Sequence, residues 1–170
     1  MNKPRILGTT MLVLVVLLSA TSLVYALASG PADEDAAVYA SQPTTVFNGI
    51  TIRVEAGEPT CIPARWSFAK WNLADIPDGA TLGYAKLVLT TSSVQVTTGV
   101  AAQIELYRVN DDSWQETTLT ANNDPAFGTL IQSVPIPAAA GDVITFDNSQ
   151  LLGFLQQEAD GDNVASFGLK

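Results

Sequence analysis

The chain contains no histidine and a single cysteine, Cys61. Without an imidazole there is no side chain poised to exchange protons near neutral pH, and most zinc sites lose their usual nitrogen ligand. A thiol with no histidine to activate it is a poor nucleophile. Cys61 is therefore expected to be a small buried or loop residue. No internal disulfide can form, no Cys-x-x-Cys motif exists, and no glycine-rich phosphate loop occurs. Positive charge is scarce too: eight Lys and Arg face 17 Asp and Glu, a net charge of −9. A chain this acidic does not hold phosphate backbones by charge, which excludes nucleic acid as a partner.

What is present begins with one long apolar run, residues 6–25. It follows the basic stretch Asn2-Lys3-Pro4-Arg5 and precedes the small-x-small pattern Ala26-Leu27-Ala28. This is the layout of an export signal cleaved after Ala28. The run also reaches the ~20 residues needed to span a bilayer, so the alternative is a membrane anchor formed by residues 6–28. Bases before the run and acids after it put the bulk of the chain outside in both cases, in the medium or on the cell surface. No cysteine directly follows the run, so it is not a lipoprotein signal. Residues 29–170 keep all 17 acids but only six bases, 6 − 17 = −11. Residues 29–37 are acidic, small and Pro-containing and are expected to be a linker. Residues 38–170 are long enough to bury one core without covalent staples, so one domain is expected there.

That domain is expected to be all-β. Residues 50–54 (Ile-Thr-Ile-Arg-Val) alternate apolar and polar, as a strand with one wet face does. Gly57-Glu58-Pro59-Thr60 breaks the pattern. Further strands are expected at 65–73, 82–90, 91–98, 104–109, 130–136, 142–146 and 164–169. In the second of these, Ala85, Leu87 and Leu89 share one face, and Tyr84, Lys86 and Val88 the other. Pro77-Asp78-Gly79 is a turn with a mechanism: proline fixes φ and glycine accepts φ > 0. Residues 148–159 are the one helical candidate, with Leu151, Leu152, Phe154 and Leu155 at roughly helical spacing. Gly153 limits this expectation to one or two turns. Many short strands between Gly, Pro, Asn and Asp turns indicate an antiparallel β-sandwich of jelly-roll type.

Three stretches carry a family resemblance. The first runs Arg65-Trp66-Ser67-Phe68-Ala69-Lys70-Trp71-Asn72-Leu73, then Ile76-Pro77-Asp78-Gly79-Ala80-Thr81, into Ala85-Lys86-Leu87-Val88-Leu89. The second is Tyr107-Arg108-Val109, Trp114-Gln115-Glu116, Thr120, and Asn122-Asn123-Asp124-Pro125. The third is Ser166-Phe167-Gly168-Leu169. In order and spacing they resemble the DNRLRE-type domain, a jelly roll grouped with alginate-binding carbohydrate-binding modules. The match covers about residues 35–169. Trp71-Asn72 replaces the family's Phe-Asp, and Ala121 replaces a Trp. The family usually continues with one or two strands beyond the position of Lys170, which implies a shortened domain, a fragment of a longer chain, or a sheet completed by a partner strand through an open edge available for self-association.

The resemblance implies a non-catalytic module that binds a polysaccharide on a sheet face. An acidic, alginate-like polymer would pair its carboxylates with Arg65, Lys70, Lys86 or Arg108. Aromatic rings supply the faces that sugars stack on. Trp66, Trp71 and Trp114 read as core, whereas Tyr84 and Tyr107 lie opposite the apolar face and are the better surface residues. The candidate ligand set is therefore Tyr84, Lys86, Tyr107, Arg65 and Lys70. A structural calcium ion is the one cofactor expected. Hard cations take oxygen ligands, and the acidic turns offer Asp111, Asp112, Asp160 and Asp162. Two-carboxylate hydrolase or lyase chemistry stays formally open, but no pair of acids stands out. The alternative to glycan binding is a structural or adhesion module that assembles through the open edge.

Overall fold

The computed structural model describes the backbone of residues 13–20, 23–48, 65–94 and 103–170, with side chains from residue 30 onward. Among these residues there are ten strands and one helix. The strands are β1 (Val13–Ala20), β2 (Leu23–Ser29), β3 (Glu34–Tyr39), β4 (Phe47–Asn48), β5 (Arg65–Asn72) and β6 (Leu82–Thr90). They continue with β7 (Gln103–Val109), β8 (Phe127–Pro135), β9 (Val143–Phe146) and β10 (Val164–Leu169), with α1 (Ser149–Ala159) between β9 and β10. Every strand pairing is antiparallel. One sheet runs β4-β3-β5-β10-β7-β8 and the other β2-β1-β6-β9. The β-sandwich expected from the strand pattern is therefore present.

The two sheets share one apolar core. Ala69 and Trp71 of β5, Leu106 of β7 and Ala165, Phe167 and Leu169 of β10 face Ala85, Leu87 and Leu89 of β6 and Phe146 of β9. Alternation along each strand puts every second side chain into this layer. Helix α1 closes one end with Leu151, Phe154 and Leu155. The Phe167 ring takes Trp71 edge-on at 5.5 Å and Phe154 at 5.2 Å between centroids, an arrangement favoured by the ring quadrupole.

A second, smaller core lies on the opposite face of the β5-β10-β7 region. Ala36 and Val38 of β3, Phe68 of β5 and Val109 of β7 are covered there by Trp114 and Leu119. Residues 110–126 thus fold back over the outer face of the larger sheet. Gly168 belongs to this face. A Cβ there would stand 2.5 Å from the Phe127 ring, so the bare backbone is what lets that ring seat.

Strands β5, β6, β7, β9 and β10 fall where alternation predicts them. Two expectations need correction. Residues 34–37, expected within the linker, belong to β3. Glu34 pairs with Lys70 there, and Ala36 and Ala37 are buried, so the small residues are core and not spacer. Helix α1 has 11 residues, three turns instead of one or two. Gly153 faces open space, while the Asn148 side chain caps the first turn by accepting the Leu151 N–H at 2.9 Å. β10 lies between β5 and β7. The edge strands among the described residues are β2, β4, β8 and β9. The expected strand at 50–54, its break at 57–60, Cys61 and the second half of 91–98 lie outside the described residues, and 91–94 are not strand. Strand β1 falls within the apolar run, β2 begins in it and continues to Ser29, and β1 lies along β6.

Candidate functional site

The five candidate ligand residues divide between the two sheets. Tyr84 and Lys86 stand on the outer face of β6, half-buried, with Ala85 and Leu87 pointing the other way into the core. Val88 and Thr90 continue that face, and the register sets Thr145 and Val143 of β9 beside them. Val143 is 58% exposed. Among the described residues neither the Tyr84 hydroxyl nor the Lys86 ammonium is engaged in a hydrogen bond or ion pair.

The other candidates are committed to the protein itself. Lys70 points outward from β5 but lies under residues 110–126, its side chain 12% exposed. It donates to the Trp114 carbonyl at 2.7 Å and the Asp112 carbonyl at 3.2 Å, and pairs with Glu34 at 3.2 Å. Those contacts use all three of its N–H donors. Its ammonium also sits 4.7 Å from the Trp114 ring centre. Tyr107 lies on the outer face of β7 and donates to Glu105 at 2.7 Å, with Phe127 edge-on to its ring. That bond, reinforced by desolvation and by the Glu105 charge, raises the phenol pKa above its ordinary value. Arg65 stacks its guanidinium over Tyr39 at 4.7 Å, at the far end of β5. Arg108 spans from Gln157 to Glu158 across the Phe154 ring. Trp114 packs in the outer cluster and Trp71 in the main core, as expected of them, and Trp66 packs against the outer cluster.

The glycan-facing part of the candidate set therefore reduces to one strip on β6. Its elements are a phenol face, a cation and flanking hydroxyls, on a sheet with a packed core beneath. Such a strip can stack on a sugar ring and pair with a carboxylate without any chemistry of its own.

The sequence profile of carbohydrate-binding module family 96 matches residues 26–170. The chain belongs to that family. No curated protein matches it. A carbohydrate partner follows for this family 96 module, since the family is one of carbohydrate-binding modules.

Of the four acids proposed for calcium, Asp112 and Asp162 come together, joined by Glu158; their carboxylate oxygens lie within 4.8 Å of one another. Asp111 turns away to accept from the Ser113 N–H at 2.9 Å and its hydroxyl at 2.6 Å, bonds that lower its pKa. Asp160 accepts from Gln156 at 3.1 Å. Burial raises the Asp112 and Glu158 carboxyl pKa values, and the three negative charges raise them further. Lys70 opposes that shift at Asp112, as does Arg108, 3.6 Å from Glu158. Sequence reasoning missed Glu158 because it sits in the last turn of α1. The extra turn carries it to the Asp160-Gly161-Asp162 bend, and a helix ending at residue 159 was the available signal.

Proposed function

We propose that this module is exported and binds an acidic polysaccharide, non-catalytically, on the outer face of β6 through Tyr84 and Lys86. The observation that carries the reading is the contrast in commitment: Lys70 and Tyr107 are bound to internal partners, whereas Tyr84 and Lys86 share one face and hold none among the described residues. Family membership supplies the carbohydrate. An acidic polymer is favoured because the strip's only charge is the Lys86 cation, in a chain otherwise short of positive charge. The basic start, apolar run and Ala26-Leu27-Ala28 pattern support export; cleavage after Ala28 would remove β1 and all of β2 but Ser29 and leave the strip on β6 beside β9.

The test is titration of the full chain with alginate and with neutral glucans. Tyr84→Ala is expected to weaken binding at least tenfold with the fold unchanged, and Lys86→Gln to weaken the acidic polymer alone. Unchanged affinity in both variants rejects this face.

A second reading, assembly at a sheet edge, is favoured by Val143 on edge strand β9 and by Leu130, 39% exposed, on edge strand β8. Sedimentation that depends on protein concentration, and stops depending on it in Val143→Lys or Leu130→Lys, would support it.

A further inference from the structure

Around the Asp112, Glu158 and Asp162 triad are oxygen atoms that the protein leaves without partners. Ser166 on β10 is completely buried, and its hydroxyl makes no hydrogen bond of proper geometry among the described residues. It nevertheless faces Asp112 closely enough to favour the ionised carboxylate. The Asp112 Oδ1 and Asn163 Oδ1 atoms are likewise buried without partners. Orphaned buried polar groups cost about 1–3 kcal/mol each, so the Ser166 hydroxyl and Asp112 Oδ1 at this acidic cluster call for an explanation.

We infer that Asp112, Glu158 and Asp162, with the Ser166 hydroxyl, form a binding site for a calcium ion. Calcium holds oxygens at about 2.3–2.6 Å, so ligands around one ion stand up to roughly 5 Å apart. The 4.8 Å spread of the three carboxylates fits that sphere. The donors are all oxygen, the class a hard cation selects. Two cations already approach the cluster, Arg108 at Glu158 and Lys70 at Asp112. Neither occupies it: Arg108 reaches one carboxylate, and the Lys70 donors go to Glu34 and to two carbonyls.

Three chain segments meet at the site. Asp112 follows β7, Glu158 closes α1, and Asp162 lies in the bend before β10, where Asn163 adopts a left-handed φ of 63°. The Asn163 N–H donates to the Glu158 carbonyl at 2.9 Å, which holds that bend against the helix. An ion here would pin the start of the 110–126 segment to the helix–β10 bend. The ion is structural and uses none of the residues of the β6 strip.

Calcium chloride is titrated into the full chain after chelator treatment, with binding heat and Tm as readouts. The wild type is expected to bind one equivalent and gain several degrees in Tm; magnesium at equal concentration gives a smaller gain. Asp162→Asn, at an exposed position, and Ser166→Ala are expected to weaken calcium at least tenfold. Asp162→Asn should leave the calcium-free Tm equal or higher, because it relieves repulsion. Asp160→Asn, outside the triad, should respond like the wild type. No heat and no Tm gain in the wild type, or a full response in Asp162→Asn, overturns the site.

Discussion

Lys70 holds Trp114 twice: its ammonium donates to the Trp114 carbonyl at 2.7 Å and lies 4.7 Å from the centre of the same residue's indole ring. The carbonyl fixes the backbone of the covering segment, and the ring contact fixes how its side chain lies on the sheet. The Asp112 carbonyl and Glu34 carboxylate complete the arrangement. Lys70 thus acts as a tie rod between β5, β3 and residues 110–126.

Replacing it with alanine strands two carbonyls and a half-buried carboxylate. Lys70→Ala is expected to cost about 2–3 kcal/mol in chemical denaturation. Glycan affinity of the folded fraction should stay as it is. A large loss of affinity with unchanged stability would instead make Lys70 a ligand contact.

Gly168 and Phe127 form a second testable pair. Gly168→Ala is expected to destabilise by about 1–3 kcal/mol, because the new methyl group overlaps the ring. Phe127→Leu should recover part of that loss in the double variant, with a coupling energy well above zero. Independent, additive effects would show that the ring moves aside freely.

The Asn148 side chain accepts from the Leu151 N–H and donates to the Ile131 carbonyl at 2.6 Å, linking the start of α1 to β8. Asn148→Ala removes both bonds. A loss of about 1–2 kcal/mol is expected, while Asn148→Asp restores the cap alone and recovers part of it.

Asp124 accepts the Trp66 indole N–H at 2.7 Å. Burial raises its carboxyl pKa, an effect this bond partly offsets. The folded state therefore holds the proton more tightly than the unfolded chain. The group favours folding below the ordinary value of about 4, and that contribution is lost as pH rises through the folded value. Asp124→Asn keeps an acceptor and has no charge to bury. Its stability relative to the parent should improve as pH rises from about 4 to about 7, followed by Tm. A relative stability that falls over that range would mean that the bond to the ionised carboxylate outweighs burial.

The strands were legible wherever one face was wet. In β6, Ala85, Leu87 and Leu89 alternate with Tyr84, Lys86 and Val88, and the structure buries the first set. β3 was not legible, because Glu34-Asp35-Ala36-Ala37 carries acids and small residues that resemble a linker. Its strand character comes from Lys70 and from the cavity-filling role of alanine against Phe68, both of which are tertiary. The split among the candidate cations was hidden for the same reason. Lys70 and Lys86 both stand on outer sheet faces, and only the course of residues 110–126 separates a buried tie from an open charge. Asp112 and Asp162 were visible as acidic turns, while Glu158 needed the full length of α1.

The place of β10 has a consequence for how the chain is made. Ser166 lies opposite Lys70 on one side and Val109 on the other, so β5 and β7 have no common neighbour until residues 164–169 arrive. Pairings this distant in sequence make for slow closure. A nascent chain still attached before that strand emerges has neither its main core sealed by Phe167 nor a continuous larger sheet. Such a chain commits to its shape only when β10 slots between β5 and β7.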